Sequence, residues 1–317
     1  MSTLLVIVLL IAGIILIVKG GDFFVDAAVW IAKVSGIPNF IIGATIVSIA
    51  TTLPELLVSL IAAGKGSVDM AAGNAVGSVT ANVALIMGIS IVCLPGIAKR
   101  SQIGFKAVLM LAAIVLLRLF SGNAALSIAE SIIILCLFVL FIIENVRSAK
   151  RETAAGTEER NKVKQDKKEV VLNILKFVLG TIGIVWGADL LVDNGSALAV
   201  LAGIPESVIG VTLVAVGTSL PELVTTITAI SKKQSSLSVG NIIGANIIDL
   251  TVILPLCAVV SGKPLPVSAQ MINVDMLVCL AVCLIAVLPA LFTQKFHRWQ
   301  GFVLLSCYAA YMVMLFV

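Results

Sequence analysis

Charged residues are scarce in this chain. Asp, Glu, Lys and Arg make up 12% of its 317 residues and hydrophobic residues make up 60%, whereas soluble domains have about 25% charged residues. A soluble chain of this length would need more charge to cover its surface. The composition therefore excludes a cytosolic enzyme, a disordered chain and a nucleic-acid binder. It predicts a membrane protein whose function depends on the few polar residues inside apolar runs.

Ligands for soft metals are also scarce. The single histidine, His297, lies beside Arg298 and Trp299 at the end of an apolar run, and six cysteines are scattered through other runs. Zinc and copper sites need imidazole or thiolate groups brought together. The sequence shows no such cluster, no disulfide framework, no paired nucleophile and base, and no cofactor motif. It predicts neither an enzyme nor a bound cofactor.

Apolar runs long enough to cross a bilayer as helices occur ten times, and no strand-like alternation recurs. The fold class predicted is therefore an all-α membrane protein. The runs are approximately 3–18, 38–64, 69–94, 102–120, 124–146, 170–188, 205–231, 236–261, 271–292 and 299–317.

Basic residues predict the orientation of these spans. If the polar linker 148–169 is cytoplasmic, 18 of the 21 Lys and Arg residues lie on that side of the membrane, as the positive-inside rule requires. Both termini are then extracellular. We expect a multi-pass protein of the cell (inner) membrane with a cytoplasmic hinge loop at 148–169.

The two halves of the chain are copies of each other. With an offset of 167 residues, 18 of 39 positions are identical between Val18–Leu56 and Val185–Leu223. The sequence thus divides into a five-span unit at 1–147, the loop, and a second unit at 170–317. Because five is odd, the second copy begins on the opposite side of the membrane. Inverted repeats are typical of secondary transporters, whose site lies near the midplane between the copies.

Four polar residues fall near the middle of predicted spans. Glu55, Glu222 and Asp249 are acidic, and Asn82 holds the first-copy position that corresponds to Asp249. A carboxylate at that depth costs about 3 kcal/mol on insertion scales. The alternative, protonated or paired buried acids, is disfavoured because no Lys or Arg lies at the same depth. These positions predict a functional site.

A proline precedes each of the two glutamates. Pro54 and Pro221 remove helical hydrogen bonds, and small or hydroxylated residues surround both. We expect spans 2, 3, 7 and 8 to be broken around a central ion site, exposing carbonyl and hydroxyl oxygens; a simple proline kink is the alternative. Such an all-oxygen set favours calcium, which takes 6–8 oxygen ligands in flexible geometry. The flanking residues are Ser48, Thr51, Thr52, Ala215, Thr218 and Ser219.

At these residues the sequence resembles the sodium/calcium exchanger family of the cation/calcium antiporter superfamily. The resemblance is strongest at 43–90 and 210–257, the two α-repeats. Each contains a Leu-Pro-Glu motif and a Gly-Asn-x-x-Gly motif, at 53–55 with 73–77 and at 220–222 with 240–244.

The resemblance implies a role for each site residue. Glu55 and Glu222 would bind calcium together with the backbone carbonyls of Thr51 and Thr218. Asn82 and Asp249 would complete the central site. The two sodium sites would share the glutamates. One would add Ser78, Thr218, Ser219 and the Ala215 carbonyl, and the other would add Thr51, Thr52 and the Ser48 carbonyl.

The implied function is exchange of calcium for sodium by alternating access, with three sodium ions per calcium. The implied partners are these ions and the lipid bilayer around a monomer. The sequence departs from the family pattern at two positions. Ala245 has no hydroxyl group, although the corresponding first-copy residue is Ser78, and Ala50 stands where the family usually has glycine. Asp249 also resembles an acid of the potassium-dependent branch. Potassium-dependent exchange and proton/calcium exchange stay open, and a passive cation channel is the less favoured alternative.

Overall fold

A computed structural model describes residues 3–64, 68–96, 98–155, 167–201, 217 and 219–316, and these residues are almost entirely helical. The all-α prediction is confirmed. The α-helices are α1 (Thr3–Ser35), α2 (Asn39–Ile42), α3 (Ser48–Gly64), α4 (Val68–Thr80), α5 (Gly88–Cys93), α6 (Arg100–Phe120), α7 (Ile128–Ala155), α8 (Lys167–Leu201), α9 (Leu220–Ser231), α10 (Ser235–Ile248), α11 (Leu254–Ser261), α12 (Met276–Thr293) and α13 (Arg298–Phe316).

Eight helical segments within the described residues are long and apolar enough to cross a membrane. Two further predicted spans are not among these eight segments. Span 205–231 lies partly outside the described residues and appears as α9, which has 12 residues. Span 299–317 corresponds to α13, with 19 residues. The arrangement of ten helices in two inverted repeats therefore stays a prediction. The eight segments are Thr3–Ser35, Asn39–Ile61, Ala71–Cys93, Arg100–Asn123, Ile128–Arg151, Lys167–Gly195, Ser235–Ser261 and Met271–Thr293.

Helices α1 and α8 are longer than the apolar runs that predict them. With 33 and 35 residues they extend about 50 Å, whereas the bilayer core is about 30 Å thick. The helix α7 likewise continues to Ala155 and α8 begins at Lys167. Helical structure thus enters the segment 148–169 from both ends. Hydropathy detects only the apolar part of a helix, whereas the helix continues wherever its backbone bonds are satisfied.

Glycines allow the backbones of α1 and α8 to pack in direct contact. A Cβ atom at Gly13 would lie 2.9 Å from the Gly187 carbonyl oxygen, and one at Gly20 would lie 2.9 Å from the Gly180 carbonyl oxygen. Positions that rise along α1 meet positions that fall along α8, so the two helices are antiparallel. Gly180 and Gly187 are also the positions 167 residues after Gly13 and Gly20.

A second close contact joins the first copy to the second. A Cβ atom at Gly43 would clash with the Leu237 carbonyl oxygen, and one at Gly240 would clash with the Phe40 carbonyl oxygen. Helix α10 is therefore in backbone contact with the beginning of span 2. Small residues permit such approaches between membrane helices. This contact brings α10 and the following residues next to α3.

π-Helical turns interrupt the regular α-geometry of spans 2, 3 and 8. They comprise Gly43–Val47, Ala81–Met87 and Asp249–Ile253. The prediction of a broken helix at Pro54 was wrong, because α3 runs without interruption through this proline. A proline removes one helical hydrogen bond, here the one to the Ala50 carbonyl, and membrane-spanning helices tolerate such a residue without ending. In the second copy, α9 starts at Leu220 with Pro221 in its first turn, where a proline lacks no helical bond.

Candidate ion-binding site

The site is built by α3, which packs against α4, α9, α10 and α11. Helix α3 supplies Glu55 and α9 supplies Glu222. The repeat-related residues Asn82 and Asp249 both lie in π-helical segments, Ala81–Met87 and Asp249–Ile253. π-Turns occur frequently at functional sites. In this protein, each copy has a π-turn that contains one polar side chain, Asn82 in the first copy and Asp249 in the second.

Most of the sequence-predicted site residues are brought together in the interior. Glu55, Glu222 and Asp249 are buried, and Glu55 interacts electrostatically with both of the other carboxyl groups. Thr52 Oγ1 lies 3.5 Å from Glu222 Oε1, so a first-copy hydroxyl contacts a second-copy carboxyl group. Ala215 and Thr218, which were also predicted as ligands, lie outside the described residues. The other predicted residues are buried as well: Asn82, Ser78, Ser48, Thr51, Thr52 and Ser219.

Several oxygen atoms of this cluster have no hydrogen-bond partner among the described residues. Among the described residues, eleven buried side-chain atoms have no partner, and seven of these are oxygens of predicted site residues. An unsatisfied buried polar atom costs about 1–3 kcal/mol, and a concentration of such oxygens is the arrangement that suits a bound cation. The seven oxygens belong to Glu55 (both), Glu222, Asp249, Asn82, Ser78 and Ser219.

The donor set fits a hard cation. Within the described part of the chain, no group of three or more acidic, histidine or cysteine side chains has the geometry of a metal cluster. A cation between the glutamates would therefore take its remaining ligands from neutral hydroxyl, amide and carbonyl oxygens. Calcium accepts such a mixed oxygen shell, whereas zinc and copper require nitrogen or sulfur ligands.

Asn241 is a site neighbour that the sequence analysis did not assign. Its Oδ1 accepts a hydrogen bond from Thr51 Oγ1 at 3.3 Å, and its Nδ2 is buried without a partner. The first-copy equivalent, Asn74, donates instead to the Glu55 carbonyl oxygen at 3.4 Å and to Ser59 Oγ at 2.9 Å. A signal for both residues exists in the sequence, because the Gly-Asn pair recurs in the two copies.

A cavity of about 180 Å³ lies next to the site on one side. Its lining includes Pro54 and Pro221, which precede the two glutamates, and the exposed residues Asp189 and Asp193 of α8. On the other side, the repeat-related Asp22 and Asp26 of α1 form ion pairs with Lys232. The two ends of the α1–α8 pair thus differ in this structure, although their acidic residues correspond.

A buried oxygen cluster among apolar helices, with an acidic cavity beside it, is the arrangement expected of an ion-translocating membrane protein. The family model for the sodium/calcium exchanger protein matches residues 5–146 and 172–317. The chain therefore belongs to the sodium/calcium exchanger family.

Individual relatives agree with this assignment. The chain is 32% identical to sodium/calcium exchanger MaX1 of Methanosarcina acetivorans over an alignment of 348 residues, which covers 97% of each chain. It is 36% identical over 262 residues to the inner membrane protein YrbG of Escherichia coli, with 81% of each covered. A solved structure of the sodium-calcium exchanger NCX_Mj soaked with Na⁺ and Sr²⁺ matches with a TM-score of 0.85 and 29% identity, covering 98% of this chain and 99% of that one.

Proposed function

We propose that this chain is a secondary antiporter that exchanges calcium for sodium by alternating access. The observation that carries the proposal is the cluster of seven unpartnered buried oxygens, to which both copies contribute. Calcium would bind between Glu55 and Glu222, with Asn82 and Asp249 completing the central site. Sodium ions would compete for the same glutamates and use the hydroxyl groups of Ser78, Thr52 and Ser219 and the carbonyls of Ser48 and Ala215, with Thr51 and Thr218 at both kinds of site.

Mutual exclusion is what couples the two fluxes. Because sodium and calcium would share the carboxylates of Glu55 and Glu222, a site loaded with one ion excludes the other. A ligand shifts a conformational equilibrium only through its different affinities for the two states. The cavity beside Asp189 and Asp193 supports access from one side, which the orientation of the basic residues assigns to the extracellular space. The protein would act as a monomer in the cell membrane with its termini outside and 148–169 inside.

The test uses purified protein in liposomes. Calcium uptake is expected only when sodium is present on the opposite side. Glu55→Gln and Glu222→Gln should each abolish uptake, because the substitution removes a ligand charge while preserving the side-chain shape. Glu144→Gln is the control, since Glu144 lies on α7 and accepts a hydrogen bond from Ser148, which an amide oxygen also accepts. Full activity of both site variants would overturn the proposed ligands.

The same assay separates the alternatives. Calcium uptake that does not depend on sodium but is driven by a pH gradient would identify proton/calcium exchange. A requirement for potassium would identify potassium-dependent exchange. Asp249 is the residue to test there, because its Oδ1 is buried without a partner. Asp249→Asn should remove a potassium or proton requirement if one is found. Single-channel currents in a planar bilayer would instead support a passive channel.

A further inference from the structure

An open groove lies on the surface between α6 and α12, away from the ion site. Its volume is about 460 Å³, within the range of small-ligand pockets. Gly104 contributes no side chain to the groove, and a Cβ atom at this position would lie 3.9 Å from Leu291 Cδ2 on the facing helix. Its walls include Phe105 and Phe292, and Phe292 is 83% exposed. Both helices belong to membrane-spanning segments, so the groove faces the acyl chains of the bilayer.

One end of the groove is basic. Arg100 lines it at the first residue of α6. Gly96 and Ala98 lie beside residues 294–296, since Ala98 N donates to the Gln294 carbonyl at 2.9 Å and Phe296 N donates to the Gly96 carbonyl at 3.0 Å. These two bonds bring the ends of α6, α12 and α13 together. The exposed basic residues of this region are Lys99, Arg100, Lys295 and Arg298.

The two chain segments that build this end carry no acidic residue of their own, and Glu144 of α7 interacts with the buried Lys106 rather than with the exposed basic residues named above. No Asp or Glu occurs between residues 70 and 129 or after Asp275. Lys106 lies within the same stretch of α6 but is buried and directed inward, with its Nζ 5.3 Å from the Phe40 ring centroid and 3.1 Å from the Gln102 carbonyl oxygen. The exposed charges therefore form a positive surface at the level where a membrane has its headgroups.

We propose that this groove binds an anionic phospholipid, with an acyl chain along Phe105, Leu291 and Phe292 and the phosphate at Arg100. Basic pockets between membrane helices bind anionic headgroups, and a Lys or Arg near the membrane surface contributes about fivefold in affinity for an anionic lipid. A zwitterionic lipid would place its own cation beside the four basic residues. The charge of the groove end therefore selects the anionic class, while the apolar groove holds the chain.

Tryptophan fluorescence can measure occupancy directly. The chain has three tryptophans, Trp30, Trp186 and Trp299. Replacing all three with Phe and introducing Phe292→Trp places one reporter in the groove, at a side chain so exposed that packing is preserved. A chain that keeps only Trp186, which is 62% exposed on α8, is the matched control. Both are reconstituted in phosphatidylcholine vesicles containing either brominated phosphatidylglycerol or brominated phosphatidylcholine.

Brominated phosphatidylglycerol should quench the groove reporter at about fivefold lower mole fraction than brominated phosphatidylcholine, whereas Trp186 should show no preference. Arg100→Gln should remove most of the preference, and Gly104→Leu should lower quenching by both lipids because the side chain fills the groove. Arg147→Gln, which changes an exposed arginine on α7, should alter neither.

Two results would overturn the proposal. One is equal quenching of the groove reporter by the two lipids, and the other is a preference that Arg100→Gln leaves unchanged. Phe105→Trp, on the opposite wall of the groove, provides a second reporter if the Phe292→Trp chain does not fold.

Discussion

Lys232 Nζ lies 2.7 Å from Asp26 Oδ1 and 3.2 Å from Asp22 Oδ1. It also donates to the Asp22 carbonyl oxygen at 3.0 Å. These contacts fasten α1 to the turn that follows α9. The equivalent acids of α8, Asp189 and Asp193, line the open cavity instead. In the proposed alternating-access cycle, movement of α1 along α9 would break the Lys232 ion pairs, so these pairs would favour the state in which this end is closed.

The first prediction concerns Lys232→Gln. The three side chains are 26–51% exposed, and such surface pairs are worth about 0–1 kcal/mol. The free energy of unfolding should therefore change little. The equilibrium constant between the two proposed access states should shift by up to about fivefold toward the state that is open on the Lys232 side. In oriented vesicles, the apparent KM for calcium should fall on that side and rise on the other. Lys233→Gln, at an exposed neighbour in the same turn, should leave both values unchanged. Identical results for the two variants would contradict the role of the ion pairs.

The second prediction compares two glycines of α8. A methyl group at Gly180 would meet Phe24 N at 2.6 Å and the Gly20 carbonyl oxygen at 2.8 Å, whereas at Gly195 the nearest atom, Leu10 Cδ1, is 3.9 Å away. Gly180→Ala should lower the free energy of unfolding by about 1–3 kcal/mol through overpacking. Gly195→Ala should be neutral or stabilising by up to about 1 kcal/mol, because alanine is the better helix former. Thermal melting in detergent measures both, and equal melting temperatures would refute the close α1–α8 contact.

The third prediction concerns the missing hydroxyl at Ala245. The corresponding first-copy residue, Ser78, is buried with an unpartnered Oγ. Ala245 is also buried, in α10. Ala245→Ser should supply a further oxygen ligand and lower the sodium concentration needed for half-maximal exchange. Ala245→Cys has nearly the same size without a hard oxygen and should not reproduce the effect. An unchanged sodium dependence in the serine variant would exclude this position from the sodium sites.

The fourth prediction addresses the charge moved in each cycle. Exchange of three sodium ions for one calcium transfers one elementary charge, which is worth about 2.3 kcal/mol per 100 mV. An imposed potential of about 100 mV should therefore change the equilibrium calcium ratio by about 50-fold. Potassium gradients with valinomycin set the potential, and trapped calcium reports the ratio. A potassium-free method of setting the potential serves as the control for direct potassium coupling. A ratio independent of potential would require electroneutral exchange.

Several features of the fold could be predicted from the sequence because they depend on local composition. Apolar runs identify membrane helices, and the 167-residue offset relates Glu55 to Glu222 and Asn82 to Asp249. The ends of the long helices could not be predicted in this way. Polar residues such as Asp22 interrupt the hydropathy of α1, yet the helix continues through them, and Asp22 pairs there with Lys232 from a distant part of the chain.

The π-helical turns at Asn82 and Asp249 were equally hidden from sequence reasoning. A π-turn requires a local choice of hydrogen-bond register, and packing against neighbouring helices determines that choice. Pro54 carries a strong local signal for a break, but α3 continues through it. The partners of Asn241 also depend on a tertiary contact, since Gly43 and Gly240 first bring α10 and span 2 together.

The contacts between α1 and α8 have the form of an isologous dimer interface. Gly13 meets Gly187 and Gly20 meets Gly180, so each contact has a counterpart with the two copies exchanged. In a homodimer, a substitution would necessarily change both members of such a pair. A single chain that contains both copies is free of that constraint. It can hold an aspartate at position 249 opposite an asparagine at position 82, and thus give one pseudosymmetric site an uneven charge.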